Sequence, residues 1–276
     1  MSNDQNLSVS SNDVAASLSS FDEGTRAALR ELLYAMADDQ LVIAHRNSEW
    51  TGLGPLLEED IAFSSIAQDK MGHSLALYAI LQKELGEADP DTTAFTRDES
   101  AMRCCHLVEL PIGDYAFSLV RHLLFDLADQ IRFEMLEESA FEPVAKVARK
   151  VKGEIKYHLF HAVTWITQLG AKGSEESHAR LQTALNETYP YALGIFEPRD
   201  GEELLAAAGI FAGESALQEK WHQALTNILA EANLLLPESA SAQPVYGGRK
   251  GYHTEYLQPM LEEMTAVFRI DPSAAW

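Results

Sequence analysis

Four long stretches of helix-forming sequence, each with its own start and stop signal, constrain this chain more than anything else in it. The first opens on Ser20-Phe21-Asp22-Glu23, which has the Ser-x-x-Glu form of a capping box, and is expected to run from about Asp22 to Asn47. The second follows Pro55, carries Glu58, Glu59 and Asp60 in its first turn, where the helix dipole favours anions, and should stop near Gly86. Pro111 and Asp114 introduce a third that ends before Pro143, and a fourth is expected from about Val144 to Leu169 with Gly170 as its C-terminal stop. Shorter helices are expected over about Glu175 to Thr188, Ala216 to Leu234 and Thr254 to Phe268. Between them there is no alternation of period two and no two-residue hairpin signal. With no sheet to pack on, long helices must cover one another's apolar faces. The expected class is therefore all-α: four helices long enough for a bundle, with additional helices toward the C-terminus.

Length and composition permit this. With 276 residues, 46% hydrophobic and 23% charged, the chain can bury a substantial core. The first twenty residues form a polar leader rich in Ser and Asn, so the expected division is a leader over 1–20 and a helical domain over 21–276. Forty-two acidic against 21 basic residues give a formal charge of -21, which repels nucleic acid and anionic lipid and keeps the chain soluble. No apolar run reaches the eighteen or so residues of a membrane span, and no basic residue precedes Ser20 to start a signal peptide. A cytoplasmic location is the expectation. Cys104 and Cys105 are adjacent, ill-placed to bridge each other and without metal-type spacing, so they are expected to be packed thiols. Neither a Gly-rich phosphate loop nor a Gly-x-Ser-x-Gly nucleophile elbow occurs, which leaves hydride and hydrolase chemistry without a home.

Two histidines carry the chemistry that is legible. His73 and His158 each end a four-residue frame, Lys70-Met71-Gly72-His73 and Ile155-Lys156-Tyr157-His158. In di-iron bundles of the ferritin kind that frame is Glu-x-x-His, one from the second helix of each hairpin, with a further carboxylate from the first helix. Gln40 in the first helix and Asp126 in the third stand at matching distances before His73 and His158. The six corresponding positions are thus Gln40, Lys70, His73, Asp126, Ile155 and His158, of which only the two histidines and Asp126 are metal donors. Lys70 also brings like charge: at about 4 Å and an effective dielectric near 20, a unit of repulsion is worth roughly 4 kcal/mol. No metal is expected here. The Lys70 ammonium is instead expected to pair with Asp126, or else to snorkel to the surface while Asp126 bonds a neighbouring helix.

Other residues have ordinary readings beside functional ones. His158 is expected to be hydrogen-bonded to a carboxylate such as Glu154 or Asp39. Gly72, inside a helix, suggests close helix contact. Lys146, Arg149, Lys150, Lys152 and Lys156 form the densest positive charge in the chain. They read either as a solvated face balanced by nearby acids or as a dock for an acidic partner or a phosphate-bearing substrate.

Several separated phrases carry a resemblance: Ala44-His45-Arg46-Asn47-Ser48-Glu49-Trp50, Leu57-Glu58-Glu59-Asp60-Ile61-Ala62, Glu154-Ile155-Lys156-Tyr157-His158 and Gly247-Gly248-Arg249-Lys250-Gly251-Tyr252-His253-Thr254-Glu255. From about Leu32 to Trp276 the chain resembles the C subunits of the ring 1,2-phenylacetyl-CoA epoxidases, in the ferritin-like superfamily. The resemblance implies a ferritin-like four-helix bundle and a place in a bacterial complex whose catalytic A subunit holds a di-iron centre and epoxidises the aromatic ring of phenylacetyl-CoA. It implies further that this chain is the metal-free paralogue: no catalytic residue, no cofactor of its own, and the A subunit and the other epoxidase subunits as partners. Where the catalytic paralogue has Asp-Glu-Ala-Gly-His, this chain reads Asp69-Lys70-Met71-Gly72-His73, and where it has Glu-Glu-Ser-Phe-His, this chain has Glu154-Ile155-Lys156-Tyr157-His158.

Three readings follow: a non-catalytic scaffold subunit, which forms a homodimer or stays single without its partner; a di-iron oxygenase with displaced ligands Glu154, Asp69 or Asp39; and a stand-alone protein binding a CoA thioester. The displaced carboxylates lie one residue from the expected positions, about 100° around the helix, and so aim off the centre.

Overall fold

The computed structural model describes residues 18–237, 242–272 and 274. Most of the expected leader, residues 1–17, lies outside them. Its last three residues are structured: Leu18–Ser20 form a 3-10 turn, and Leu18 and Phe21 pack on the core.

Helix α1 spans Glu23–Ser48, and its cap is Asp22 rather than Ser20, with the Asp22 carboxylate accepting the Thr25 N–H at 2.7 Å. Helix α2 covers Leu57–Leu85 and closes on Gly86 as its acidic first turn and terminal glycine suggest. Two short helices that the sequence does not announce follow, α3 (Pro90–Phe95) and α4 (His106–Glu109). Asp114 caps α5 (Tyr115–Leu136) through the Phe117 N–H. Helix α6 (Glu142–Ala171) begins around Pro143 and continues through Gly170. That glycine is not a stop; a Cβ there would lie 2.5 Å from the Ala232 carbonyl oxygen, so the missing side chain lets the chain after α9 approach. Helix α7 (Glu175–Leu193) runs past Thr188 and through Pro190, followed by α8 (Glu202–Ala207), α9 (Glu214–Glu231) and α10 (Leu257–Thr265). Among the described residues there is no strand, and no helix is long and apolar enough to cross a membrane. The fold is all-helical, consistent with a ferritin-like arrangement.

Two antiparallel hairpins build the interior. Helix α1 lies along α2, and α5 along α6. Ser74 bonds Ala37 and Tyr78 bonds Asp38 across the first hairpin, while Lys152 of α6 pairs with Glu137 just past the end of α5. The hairpins face each other through α1 with α5 and α2 with α6. Helices α7 and α9 cover the outer side of α5, where the buried Trp221 donates to the Leu124 carbonyl at 3.0 Å. Leucines such as Leu29, Leu32, Leu33 and Leu124 fill the layers between, fully buried. Each burial of that kind is worth about 1.5 to 3 kcal/mol, so packing fixes the helices and the polar residues inside must find partners in place.

The segment before α10 is tied down from within. Arg249 inserts its guanidinium between α1 and the loops, with Nη2 at 2.7 Å and Nη1 at 2.8 Å from the two oxygens of Asp39, and with further bonds to the carbonyls of Arg103 and Ile195. A fork of donors matched to a carboxylate is the strong form of this contact. It also occupies Asp39, which therefore points away from His158. Both cysteines are free and buried, as expected of packed thiols.

Candidate functional site

Packing in mid-helix leaves Lys70 with no route to water, and its side chain is fully buried. Its ammonium lies 2.5 Å from Asp126 Oδ1 and 2.6 Å from Asp129 Oδ2, over the face of Phe125. The two carboxylates are three residues apart on α5 and so share a helix face. Gln40 of α1 donates its amide to both oxygens of Asp129 at 2.8 Å, and His122, one turn before Asp126, brings Nδ1 to 2.5 Å from Asp126 Oδ2. Three of the four long helices thus contribute polar atoms to one buried cluster. Opposite them α6 supplies Ile155, buried and apolar, and then His158.

The two histidines are held by a reciprocal exchange. Asp69 stands four residues before His73 on α2, and Glu154 four residues before His158 on α6. Each carboxylate accepts from the histidine of the other helix: His73 Nε2 to Glu154 at 2.8 Å and His158 Nε2 to Asp69 at 3.0 Å. The partner of His158 is therefore Asp69, neither Glu154 nor Asp39. Each flanking carboxylate thus reaches across the helix seam to the opposite histidine.

Charges follow from this arrangement. Burial drives the Lys70 pKa down, but Asp126 and Asp129 together outweigh it and hold the ammonium protonated above the ordinary lysine range. Burial likewise opposes ionisation of Asp126, but its contacts with His122 and with the Lys70 ammonium bring its pKa well below the usual carboxylate range. The imidazole of His158 is pushed down to about 2 by burial and by the neighbouring Lys70 cation, and His73 is lowered for the same two reasons. Both are neutral donors to their carboxylates. Asp69 is raised by burial and by the nearness of Glu154.

A further layer escaped the sequence. His161, one turn beyond His158, bonds Glu59 at 2.9 Å, and Glu59 also accepts from Trp165 and Tyr115, each at 2.7 Å. His122 and His161 flank Phe63, with ring centroids 5.8 and 5.9 Å from it, so imidazoles run in file along the interior from His73 through His158 and His122 to His161. A signal was present: His122, Asp126 and Asp129, and likewise His158 and His161, recur at three- or four-residue spacing within apolar helix faces.

Of the basic cluster, Arg149 and Lys146 pair with Glu142 and Lys152 with Glu137, while Lys150 and Lys156 are exposed. The cavity beside Lys152 and Lys156 encloses about 30 Å³, room for a water molecule and not for a nucleotide thioester. Cys104, Glu109 and His253 also converge, with His253 Nδ1 at 2.7 Å from Glu109 Oε1. There the backbone N–H and hydroxyl of Thr254 occupy Glu109 Oε2, His253 Nε2 meets the Met102 carbonyl, and burial together with Glu109 keeps the Cys104 thiol protonated well above its usual range. These contacts pin the α10 strap to α4.

Comparison with known proteins agrees with the motifs. The chain is 32% identical over 241 residues to the C subunit of the 1,2-phenylacetyl-CoA epoxidase of Escherichia coli (strain K12), an alignment covering 87% of this chain and 96% of that protein. The family model described as "Phenylacetic acid catabolic protein" matches residues 15–276, and with nearly the whole chain inside it, the chain belongs to that family.

Proposed function

We propose that this chain is the non-catalytic structural subunit of a multicomponent di-iron monooxygenase that epoxidises the ring of phenylacetyl-CoA in the cytoplasm, pairing with and supporting the catalytic A subunit. The observation that carries this is the Lys70 ammonium, buried between Asp126 and Asp129. In a di-iron bundle of this kind, that space belongs to the metals and their carboxylates. Iron does not fit these side chains. A cation already neutralises Asp126 and Ile155 offers no donor atom, so the buried Nδ1 atoms of His73 and His158, which have no hydrogen-bond partner among the described residues, lack the set of anionic ligands that a di-iron site needs. Asp69 and Glu154 are bonded to the Nε2 atoms of these histidines, which argues against a di-iron site with displaced ligands. Position by position, one fixed positive charge and a set of hydrogen bonds do the structural work that metal coordination would do, and the helices keep their packing without redox chemistry.

The test is metal content together with turnover. Protein purified from iron-supplemented cells should carry less than about 0.1 iron per chain by elemental analysis, be inactive alone, and co-purify with the catalytic subunit when the two are co-expressed. Stoichiometric iron, or epoxidation of phenylacetyl-CoA by this chain alone, would overturn the proposal.

A further inference from the structure

The outward faces of α2 and α6 look like the inside of a helix interface. On α2, Ile61, Ser65, Gln68, Gly72 and Leu75 are all exposed, and on α6 so are Gly153, Tyr157, Phe160 and Thr164. Both runs follow alternating steps of three and four residues, the spacing by which one helix keeps a stripe toward another. Neither contains a charge, in a chain with 63 charged side chains other than histidine.

Two of these positions are glycines in mid-helix, each costing the helix about 1 kcal/mol relative to alanine. The expectation that Gly72 marks a close contact within the chain is not met: a Cβ built on Gly72 or on Gly153 meets nothing within 4 Å among the described residues. The His73–Glu154 bond lies one residue from each, so the two glycines sit at the same level of the helix pair and form a dip. Such a dip lets a third helix approach more closely than side chains would allow. Along the same two helices, Leu57, Ile61, Met71, Leu75, Tyr157 and Phe160 are between 39% and 70% exposed. At roughly 200 Å² for a large side chain, they present on the order of 700 Å² of apolar surface, above the usual patch of a monomer and near the about 800 Å² that one partner brings to a standard interface.

We propose that this face, centred on Gly72 and Gly153, is where the catalytic subunit of the epoxidase docks, with one of that protein's helices crossing the glycine pair. The inference rests on the functional reading above and specifies its contact surface. A helical occupant is indicated by the three-four spacing and the glycines. A second copy of this chain would bring another -21 charges against the first, which disfavours it. Residues 1–17 contain only Met1, Leu7, Val9 and Val14 as larger apolar side chains, too few to cover the face.

Gly72→Gln and Gly153→Gln, made in the full chain and titrated against the purified catalytic subunit, test this. Because both positions face open space, each variant should unfold at or above the wild-type temperature. Each should nevertheless bind the catalytic subunit at least about ten-fold more weakly, and Phe160→Glu should do the same. Wild-type affinity in all three variants would overturn the surface while leaving the functional reading intact. If the wild-type chain itself fails to bind the catalytic subunit, the functional reading falls and takes the surface with it. If the variants instead break a dimer of this chain, or only a chain lacking residues 1–17 exposes the face, the assigned occupant is wrong.

Discussion

Replacing Lys70 by methionine isolates what its charge does. The side chains are close in length and volume, so Lys70→Met keeps the packing and removes the cation. Asp126 is then left fully buried with His122 as its remaining partner, and Asp129, 2% exposed, with Gln40. Breaking one side of a buried ion pair typically costs about 3 to 5 kcal/mol. Two carboxylates are affected, but each keeps one polar side chain in close contact, His122 beside Asp126 and Gln40 beside Asp129, so the same range is expected and not its double. At about 2 to 4 °C per kcal/mol for a domain of this size, the unfolding midpoint should fall by roughly 6 to 20 °C. The loss should depend on pH with a definite sign. A buried carboxyl that has lost its cation has a folded pKa above its unfolded value, so it destabilises at high pH and is relieved as pH falls. The gap between Lys70→Met and wild type, measured by circular dichroism melts, should narrow from pH 8 to pH 5. Adding Asp126→Asn and Asp129→Asn removes the stranded charges and should recover at least half of the deficit, since neutral replacements of buried ion pairs often fold as well as the originals. A single mutant within about 2 °C of wild type at pH 8, or a triple variant less stable than the single one, would refute the reasoning.

Two further outcomes follow from the geometry. In acid, the folded chain keeps His158 neutral down to about 2, whereas the unfolded chain protonates it near 6.5. Its contribution is therefore complete above the unfolded pKa and is lost as pH falls below it, by up to about 1.4 kcal/mol per pH unit. The unfolding midpoint should drop between pH 7 and pH 5, less steeply in His158→Gln; equal slopes would contradict this. Gly170→Ala places a Cβ 2.5 Å from the Ala232 carbonyl oxygen and should destabilise by about 1 to 3 kcal/mol despite alanine's better helix propensity, which a midpoint at or above wild type would disprove.

Most of the fold was legible because caps and breakers act locally. Asp114 at a helix start, Gly86 at an end and Pro143 in a first turn are readable in windows of a few residues, whereas at the first helix the pattern pointed to Ser20 and the cap is Asp22, two residues on. What misled was tertiary. Gly170 has the appearance of a stop, yet its use lies in the carbonyl of Ala232, more than sixty residues away in sequence, and Pro190 fails to end α7. In the site, the histidine frames were visible by analogy of spacing, whereas their partners were not: nothing near His158 in sequence distinguishes Asp69 from Asp39, and only the docking of α2 on α6 decides between them. Asp129 and Glu59 stayed hidden because an acidic residue in a helix reads as a solvated one until the opposite helix is in place.

The crossed pairing of Asp69 with His158 and Glu154 with His73 also determines how α2 and α6 can slide. The helices are antiparallel, and in each the acid precedes the base by about one turn, some 5.4 Å. Slipping one helix by a turn in one direction would set Asp69 against Glu154, two anions, and slipping it in the other would set His73 against His158, two rings with no acid between them. Only the observed alignment marries unlike groups twice. The seam is thus keyed like a lock with one correct notch, and any protein that grips its outer surface meets a platform whose two halves cannot creep past each other.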